Sequence, residues 1–401
     1  MTVAVDARLV DGEPGGVQQT ILGLAMGLAS LDDRGDRYEF LVHPDHSWLE
    51  PALTGPCRAL VVRSERRMAG SAFRKAGRYL LESRGHILPV SDGTAEESGA
   101  DLIHFMQQRG FRTRLPNIYQ PHDLQHRHHP QLFHPLQRAY RRLSYAAMSR
   151  QASRVAVMTT SARAETAALL GVPLPRVIVV PWASVLSLYA EAPAPRAELD
   201  GLGVPARFLL FPSHSWPHKN HLGLLHALAA LRRSRGLRIP VVFTGSRTEH
   251  WKRVADAIRD LDLADQVISL GFVRTQVLKS LYAEADGLVF PTLYEGWGLP
   301  LVEALDVGLP VACSAISPLR EIAMDAALLF DPTDPMDMAE AIRVIWTEPA
   351  ERDRLRTAAL ARRRAFSWKG TAARFRAHYR DILGLSPLDE DQRLLDSDAP
   401  V

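Results

Sequence analysis

Short apolar segments alternate along this chain with longer segments whose apolar positions recur at helical spacing. Such alternation predicts parallel sheets whose strands are connected by crossover helices. Strands are expected in the first half at residues 3–6, 39–42, 59–62, 102–105, 118–120, 154–158 and 177–180. The second half predicts strands at residues 208–212, 241–244, 267–270, 288–290, 311–313 and 328–330. The predicted fold class is α/β, with two Rossmann-like doubly wound domains.

The predicted helices and domain boundaries follow from the same pattern. Helices are expected near residues 17–31, 72–82, 136–150, 162–170, 336–346 and 350–363. A polar, proline-containing stretch at 190–205 has the composition of a linker, which places the domains at 1–189 and 206–365. A last helix is expected at 366–384, and the acidic stretch 385–401 is expected to be a solvated tail.

Composition and charge narrow the class of protein. A length of 401 residues exceeds what one hydrophobic core usually supports, which agrees with two domains. The 48 lysines and arginines nearly balance the 45 aspartates and glutamates, so no nucleic-acid partner is expected. Cys57 and Cys313 lie in apolar segments and are expected to be reduced core thiols. The first residues predict a strand rather than a leader, and a cytoplasmic location is expected.

The segment 291–305 contains the most informative motif of the chain. Glu295 and Glu303 flank a turn with two glycines, Gly296 and Gly298, between an apolar strand and an apolar helix. Glycines have no Cβ atom, so backbone N–H groups of such a turn can approach a phosphate closely. The helix that follows offers unpaired amides and the positive end of its dipole. These features predict a site for a sugar nucleotide.

The run Glu295-Gly-Trp-Gly-Leu-Pro-Leu-Val-Glu303 resembles the Glu-x7-Glu signature of the family 4 retaining glycosyltransferases. The resemblance implies the GT-B fold, in which two Rossmann-like domains face a central cleft and the last helix crosses back to the N-terminal domain. It implies a catalytic role for Glu295 at the transferred sugar and ribose binding by Glu303. The residues between them that are assigned to donor binding are Gly296, Trp297, Gly298 and Leu299.

Two motifs of the first half extend the resemblance. Gly15 and Gly16 follow the first strand and precede a helix, and they match the glycine pair that lies against the donor diphosphate in this family. His122 begins a His-Asp-Leu sequence after the strand near 118–120, at an edge where open α/β sheets bind ligands. The resemblance implies that His122 contacts the transferred sugar and has a catalytic role.

The second half of the chain contains a lysine predicted to bind phosphate and a turn predicted to contact the nucleotide base. Lys219 lies in Trp216-Pro-His-Lys-Asn220, which resembles the family's phosphate-binding loop, and it is assigned to catalysis and donor binding. Ser213 stands where many relatives carry a second basic residue, and it is also assigned to the donor. Gly271, Phe272 and Val273 resemble the turn that contacts the nucleotide base.

No metal and no resident cofactor are expected. Asp-x-Asp occurs only in the acidic stretch near the end of the chain. His126, His128, His129 and His134 follow His122 closely, which leaves a zinc site open as an alternative to a polar loop. No cysteine or carboxylate completes a set of ligands.

The sequence indicates the identities of the donor and acceptor substrates only in part. The His-Asp-Leu and Pro-His-Lys-Asn sequences resemble those of mannosyltransferases, which favours GDP-mannose over a UDP-sugar. The expected acceptor is a glycan or a lipid-linked glycan. The basic amphipathic stretch 63–84 is either a peripheral contact with an anionic membrane or a solvated helix face.

Three other functions remain as alternatives. A sugar-nucleotide epimerase or hydrolase would share the fold, and a non-catalytic sugar-nucleotide-binding protein would bind the donor without turnover. A dehydrogenase would require G-x-G-x-x-G with an acidic residue about 20 positions later, and no such set follows the first strand.

Overall fold

The computed structural model of this chain describes residues 1–9, 16–32, 34–44, 46–62 and 87–397. The predicted helix 72–82, the basic stretch 63–84 and Gly15 lie outside the described residues. The chain forms two compact units. The first unit is Met1–Ala183 together with residues 367–397 of the described chain, and the second unit is Ser184–Phe366.

The first unit is built on a parallel sheet of seven strands in the order β3-β2-β1-β4-β5-β6-β7. Most of its strands are buried along their length, as expected for a parallel sheet covered by helices. The strands are β1 (Thr2–Asp6), β2 (Arg37–Val42), β3 (Cys57–Val61), β4 (Leu102–Phe105), β5 (Asn117–Tyr119), β6 (Arg154–Val157) and β7 (Val177–Val179). Each predicted strand of this half is present, within two residues at either end.

The helices of the first unit come from both ends of the chain. Those before Ala183 are α1 (Gly16–Ala29), α2 (Thr94–Glu97), α3 (Gln125–His128), α4 (Pro135–Gln151) and α5 (Thr160–Leu170). Short 3₁₀ turns lie at Glu50–Ala52, Pro130–Leu132 and Leu174–Arg176. The helices contributed by the end of the chain are α14 (Trp368–Ile382) and α15 (Asp389–Ser397).

The second unit contains a parallel sheet of six strands in the order β10-β9-β8-β11-β12-β13. Its strands are β8 (Leu209–Pro212), β9 (Val241–Thr244), β10 (Val267–Gly271), β11 (Gly287–Phe290), β12 (Val311–Ser314) and β13 (Ala327–Phe330). Its helices are α6 (Arg196–Gly201), α7 (His221–Arg235), α8 (Trp251–Asp260), α9 (Thr275–Glu284), α10 (Leu299–Val307), α11 (Ser317–Ala323), α12 (Pro335–Thr347) and α13 (Pro349–Arg362). The strand order is that of the Rossmann fold.

Residues 190–205 form an ordered part of the second unit, which corrects their prediction as a linker. They contain α6, and the Ala194 amide donates to the carbonyl oxygen of Gln276 at 3.0 Å. The boundary between the units therefore lies at Ala183, ahead of the polar stretch. Its proline-rich composition is explained by short turns on a surface rather than by a free connection.

Helix α14 packs against α1, so the last long helix returns to the first unit as expected. Glycines on α1 permit the close approach, because a Cβ atom at Gly23 would lie 2.2 Å from the Trp368 ring and one at Gly27 would lie 2.3 Å from the Trp368 carbonyl oxygen. About three turns further along α14, the Tyr379 hydroxyl lies 2.8 Å from Nδ1 of buried His104. The helix is thus an integral part of the core of this unit.

The prediction of a solvated acidic tail is wrong for Glu390 and Asp391, whereas Asp389 is exposed as predicted. Helix α15 buries Asp391 completely, and Glu390 is only 8% exposed. Both carboxylates accept hydrogen bonds from Arg376 on α14, which is itself buried. These two carboxylates are buried because Arg376, which lies outside the acidic stretch, pairs with them. A buried guanidinium stabilises buried carboxylates.

Two further expectations concern the cysteines and the membrane. Cys57 and Cys313 are both buried and unpaired, and burial raises the pKa of each thiol to about 12. They are core thiols, as predicted.

Among the helices that the structure describes, none is both long enough and apolar enough to cross a bilayer.

Candidate active site

The strand order of the second unit reverses between β8 and β11, which lie side by side at the centre of the sheet. Open α/β sheets bind ligands at such a switch point, beyond the carboxyl ends of the strands. The loop that follows β8 carries Lys219, and the loop that follows β11 carries Glu295. The topology therefore brings together two side chains that are 76 positions apart.

Lys219 and Glu295 form an ion pair. The distance from Lys219 Nζ to Glu295 Oε1 is 2.6 Å, and the two side chains are only 15% and 12% exposed. Lys219 Nζ also lies 5.5 Å from the centroid of the Phe290 ring at the end of β11. Partial removal from water strengthens the field of both charges, because the effective dielectric constant there is lower than in bulk water.

Asn220 fixes the two loops relative to each other. Its backbone is left-handed, with φ of 62°, a conformation that asparagine tolerates better than most residues. Its Nδ2 donates to the carbonyl oxygens of Pro291 and Pro332 at 3.0 and 2.8 Å, and its Oδ1 caps α7 at the Gly223 amide. The lysine beside it is thereby held at the end of β11. Asn220 was not among the site residues predicted from the sequence, although it lies in the Trp216-Pro-His-Lys-Asn220 motif.

A second set of hydrogen bonds joins the same loops. The carbonyl oxygen of His218 accepts from the Leu293 amide at 2.7 Å and from Thr292 Oγ1 at 3.1 Å. Thr292 is fully buried. Residues on both sides of the ion pair are therefore tied by backbone contacts, which limits the entropy lost when the site binds a ligand.

The glycine turn before α10 has a conformation that depends on glycine. Gly298 has φ of 114°, and a Cβ atom there would lie 2.6 Å from Leu319 Cδ2. A proline stands in the first turn of α10, where its missing N–H is not needed. Gly296 and Leu299 are partly exposed beside this helix start. A helix start of this kind can present backbone amides to an anion.

Trp297 belongs to the core rather than to the ligand surface. Its side chain is 3% exposed and packs edge-on against Phe366, with the ring centroids 5.7 Å apart. Its ring anchors the glycine turn to the body of the unit. Only the backbone of Trp297 remains for the donor contact that the sequence predicted.

Glu303 is buried one turn into α10. It is 6% exposed, and the Tyr282 hydroxyl donates to its Oε2 at 2.5 Å. Burial raises the pKa of Glu303 to about 7, and the hydrogen bond from Tyr282 opposes this rise. Tyr282 was not predicted from the sequence, because a tyrosine on a helix 21 positions earlier carries no local signal of a carboxylate partner.

Ser213 lies at the end of β8, next to the loop that follows β9. It is 7% exposed, and within the described residues its Oγ has no hydrogen-bond partner. Gly245, with φ of 104°, packs so tightly on it that a Cβ atom would lie 2.6 Å from the Ser213 carbonyl carbon. The neighbouring His214 accepts the Ser246 amide at Nδ1 at 2.8 Å, which leaves Nε2 as the donor of the neutral ring.

The predicted base-binding turn follows β10 at the same edge of the sheet. Gly271 has φ of 69°, and its carbonyl oxygen accepts from the Gly245 amide at 2.8 Å. Phe272 is 62% exposed, and Val273 is partly exposed. The turns after β8, β9 and β10 are therefore in direct contact, and the predicted donor residues of this unit lie on one edge.

The remaining predicted residues belong to the first unit. His122 follows β5 in a left-handed conformation, with φ of 65°. Its Nε2 donates to the Met106 carbonyl oxygen at 2.6 Å, and its ring lies edge-on to Trp182. Burial lowers the pKa of His122, which keeps the ring neutral with Nδ1 as an acceptor. Gly16 is the exposed first residue of α1, after β1.

The histidines that follow His122 are used in other ways. His126 is buried with its ring 5.1 Å from that of Tyr145, and Nε2 of His128 contacts Oε1 of Glu165. Across the part of the chain that the structure describes, no group of three or more histidine, cysteine or acidic side chains is placed to hold a metal ion. His126 thus takes part in local packing, and His128 takes part in a surface contact.

Comparison with protein families and with known sequences gives consistent matches. Residues 202–362 match the family described as glycosyl transferases group 1. The chain is 28% identical to O-antigen chain mannosyltransferase B of Escherichia coli over 274 residues, which are 63% of this chain and 70% of that protein. It is 34% identical to D-inositol 3-phosphate glycosyltransferase of Kineococcus radiotolerans over 241 residues, 55% of each protein. The chain thus spans about half the length of the second relative.

Solved structures agree with the fold. Sucrose-phosphate synthase from Thermosynechococcus elongatus superposes with a TM-score of 0.73 at 20% identity. The match covers 96% of this chain and all of that one. Residues 202–362 are thus similar to the glycosyl transferases group 1, and the two Rossmann-like units of the chain are those of the GT-B fold.

Proposed function

We propose that this protein is a metal-independent, retaining glycosyltransferase that transfers a hexose from a nucleotide diphosphate sugar to a glycan or lipid-linked glycan. The observation that carries the proposal is the Lys219–Glu295 ion pair at the switch point of the second sheet, beside the N-terminus of α10. The pair offers a cation for a leaving phosphate and a carboxylate for a sugar. Mannose is the favoured hexose, supported by the likeness to an O-antigen chain mannosyltransferase.

Lys219 and the helix start would stabilise the leaving group. When the bond from the anomeric carbon to the diphosphate breaks, the sugar becomes oxocarbenium-like and negative charge grows on the phosphate oxygen. Preorganised cations and amides aimed at that charge lower the barrier. Lys219 Nζ and the backbone N–H groups near Gly298 provide both kinds of group. The partly buried position of the lysine increases its effect.

Glu295 would act on the sugar once the donor is bound. The diphosphate competes with Glu295 for Lys219, so binding would release the carboxylate toward the sugar hydroxyls and the positive charge that develops on the ring. In the proposed retaining route, the acceptor hydroxyl attacks on the face that the diphosphate leaves. The departing phosphate takes the acceptor proton, so no protein base is needed.

The first unit would contribute the acceptor side. We assign His122 to the transferred sugar, with neutral Nδ1 as a hydrogen-bond acceptor, and the Gly15–Gly16 backbone to the diphosphate. The stretch 63–84 would supply a peripheral contact with an anionic membrane, which suits a lipid-linked acceptor. The proposed location is the cytoplasm, at its membrane face where such acceptors are used.

Binding and turnover of a panel of nucleotide sugars test the proposed function. GDP-mannose is expected to bind more tightly than UDP-glucose or UDP-galactose in calorimetry, and product is expected only when a glycan acceptor is added. Release of free sugar at the same rate with and without every acceptor would instead indicate a hydrolase. Binding without turnover would indicate a non-catalytic protein, and no binding of any nucleotide sugar would contradict the site.

Activity is expected to survive EDTA. The proposed leaving-group site uses Lys219, backbone amides and a helix terminus, and none of these groups requires a divalent ion. Initial rates of transfer should be equal after dialysis against EDTA and after re-addition of Mg²⁺ or Mn²⁺. A rate that disappears with EDTA and returns with either metal ion would contradict this account of the leaving group.

A further inference from the structure

Tyr282 lies on α9 and reaches the carboxylate of Glu303 on α10. The Tyr282 hydroxyl is 2.5 Å from Glu303 Oε2, and 3.5 Å from the carbonyl oxygen of Pro300 in the first turn of α10. The tyrosine is 1% exposed. One hydroxyl therefore touches both the carboxylate and the backbone of the helix start that the proposed function assigns to the donor.

Among the described residues, the hydrogen-bond partner of this carboxylate is Tyr282, at Oε2. Within the described part of the chain, no side chain or backbone group donates to Glu303 Oε1. Buried carboxylates normally have their hydrogen-bonding capacity satisfied, because an unpaired polar group away from water is costly. Glu303 retains 6% exposure, so its second oxygen remains available to a ligand.

We propose that Tyr282 is a positioning residue of the donor site, which holds Oε2 of Glu303 so that Oε1 accepts a hydrogen bond from a ribose hydroxyl of the nucleotide sugar. This inference rests on the proposed function, since it needs a donor with a ribose. It adds a residue that acts through Glu303 rather than on the donor itself. The fixed geometry lowers the entropy that the carboxylate loses on binding.

The hydrogen bond also affects the charge of Glu303. Burial raises the pKa of the carboxyl to about 7, the Tyr282 hydrogen bond lowers it, and the nearby charge of Asp306 raises it further. A hydrogen bond to the charged form favours that form. Without the hydroxyl, Glu303 would remain protonated to a higher pH. A protonated carboxyl accepts a hydrogen bond more weakly than a carboxylate. As the pH is lowered, a protein without the Tyr282 hydroxyl would therefore lose donor binding at a higher pH than the parent.

The test uses Tyr282→Phe, which keeps the ring and removes the hydroxyl. GDP-mannose affinity at pH 7 is expected to fall about tenfold, since a hydrogen bond to a charged group contributes on that scale. The KM for donor should rise while kcat at saturating donor changes little, because the ribose is remote from the breaking bond. When the pH is lowered from 9 to 6, the donor affinity of the variant should begin to fall at a higher pH than that of the parent.

Ser280→Ala is the matched control. Ser280 lies on the same helix, is buried, and donates from Oγ to the Ala194 carbonyl oxygen at 2.7 Å. It therefore loses one buried hydrogen bond of α9 without touching Glu303. Its melting temperature should fall as much as that of Tyr282→Phe, while its donor affinity and pH profile stay those of the parent. An equal loss of affinity in both variants would overturn the proposal.

A double-mutant cycle separates this inference from the proposed function. If Tyr282 acts through Glu303, then Tyr282→Phe has no further effect on donor affinity in a Glu303→Gln background. Weak binding by Glu303→Gln with parent-like binding by Tyr282→Phe would overturn the inference and leave the proposed function intact. Parent-like binding by Glu303→Gln would remove Glu303 from the donor site, and the inference with it.

Discussion

Replacing Lys219 by alanine is expected to lower kcat/KM for sugar transfer by about 10²–10³-fold, the range found when one preorganised donor to a developing anion is removed. Lys219 is the cation held at the carboxyl end of β8, and its ammonium is largely withdrawn from water. In the proposed site, its loss would leave the backbone amides near Gly298 to stabilise the leaving phosphate. Steady-state assays with varied donor would measure the effect.

Lys252→Ala provides the control for this prediction. Lys252 is an exposed lysine of the same unit on α8, so its removal changes the net charge equally. Its kcat/KM should remain that of the parent. If Lys219→Ala also kept parent kinetics, the ion pair would be only a structural contact, and the leaving-group site would lie elsewhere.

The ion pair predicts a second consequence of the same substitution. Without Lys219, Glu295 remains partly buried with no cation beside it. An unpaired carboxylate in such a place is disfavoured, so the second unit should lose some stability. The double variant Lys219→Ala, Glu295→Gln should therefore be more stable than Lys219→Ala alone. Thermal unfolding of the two variants checks this order.

Replacing Asp391 by alanine is expected to destabilise the first unit by about 3 kcal/mol, because it leaves a buried guanidinium short of its partner. Arg376 is 2% exposed and donates to Asp391 at 2.6 and 2.9 Å. It also donates to Glu390 at 2.7 Å and to the Asp32 carbonyl oxygen at 3.0 Å. The cluster therefore ties α15 to α14 and to the end of α1.

Urea unfolding of Asp391→Ala beside Asp389→Ala measures this cost. Asp389 begins the same helix and carries the same charge, but it is exposed. Its loss removes only a favourable interaction with the helix dipole, worth about 0.3–1 kcal/mol. Equal unfolding midpoints for the two variants would show that α15 contributes nothing through its buried ion pairs.

The strands were predictable from the sequence because of their burial. Strands of a parallel sheet contact helices on both faces, so they are continuous apolar segments that local composition reveals. Leu102–Phe105 and Val241–Thr244 were predicted with their observed bounds, and others shifted by one or two residues. Boundaries shift because hydrogen bonding to a neighbouring strand, which no local pattern contains, decides where a strand ends.

The errors came from polar segments. Composition predicted a linker at 190–205 and a solvated tail after 385, but α6 and α15 pack into the two units. A polar segment is solvated only if no partner elsewhere satisfies it. For Asp391 that partner is Arg376, and nothing in the tail itself indicates it.

The sequence by itself determined the two α/β units and the chemistry available to the site. Strand burial, the glycine turn and the Glu-x7-Glu spacing are local properties, because each depends on residues within one strand–turn–helix segment. Tertiary structure alone decided which side chains meet. It paired Lys219 with Glu295 and Tyr282 with Glu303, and it buried Trp297 in the core. Such contacts follow from the order of strands in the sheet, where residues distant in the chain reach the same edge.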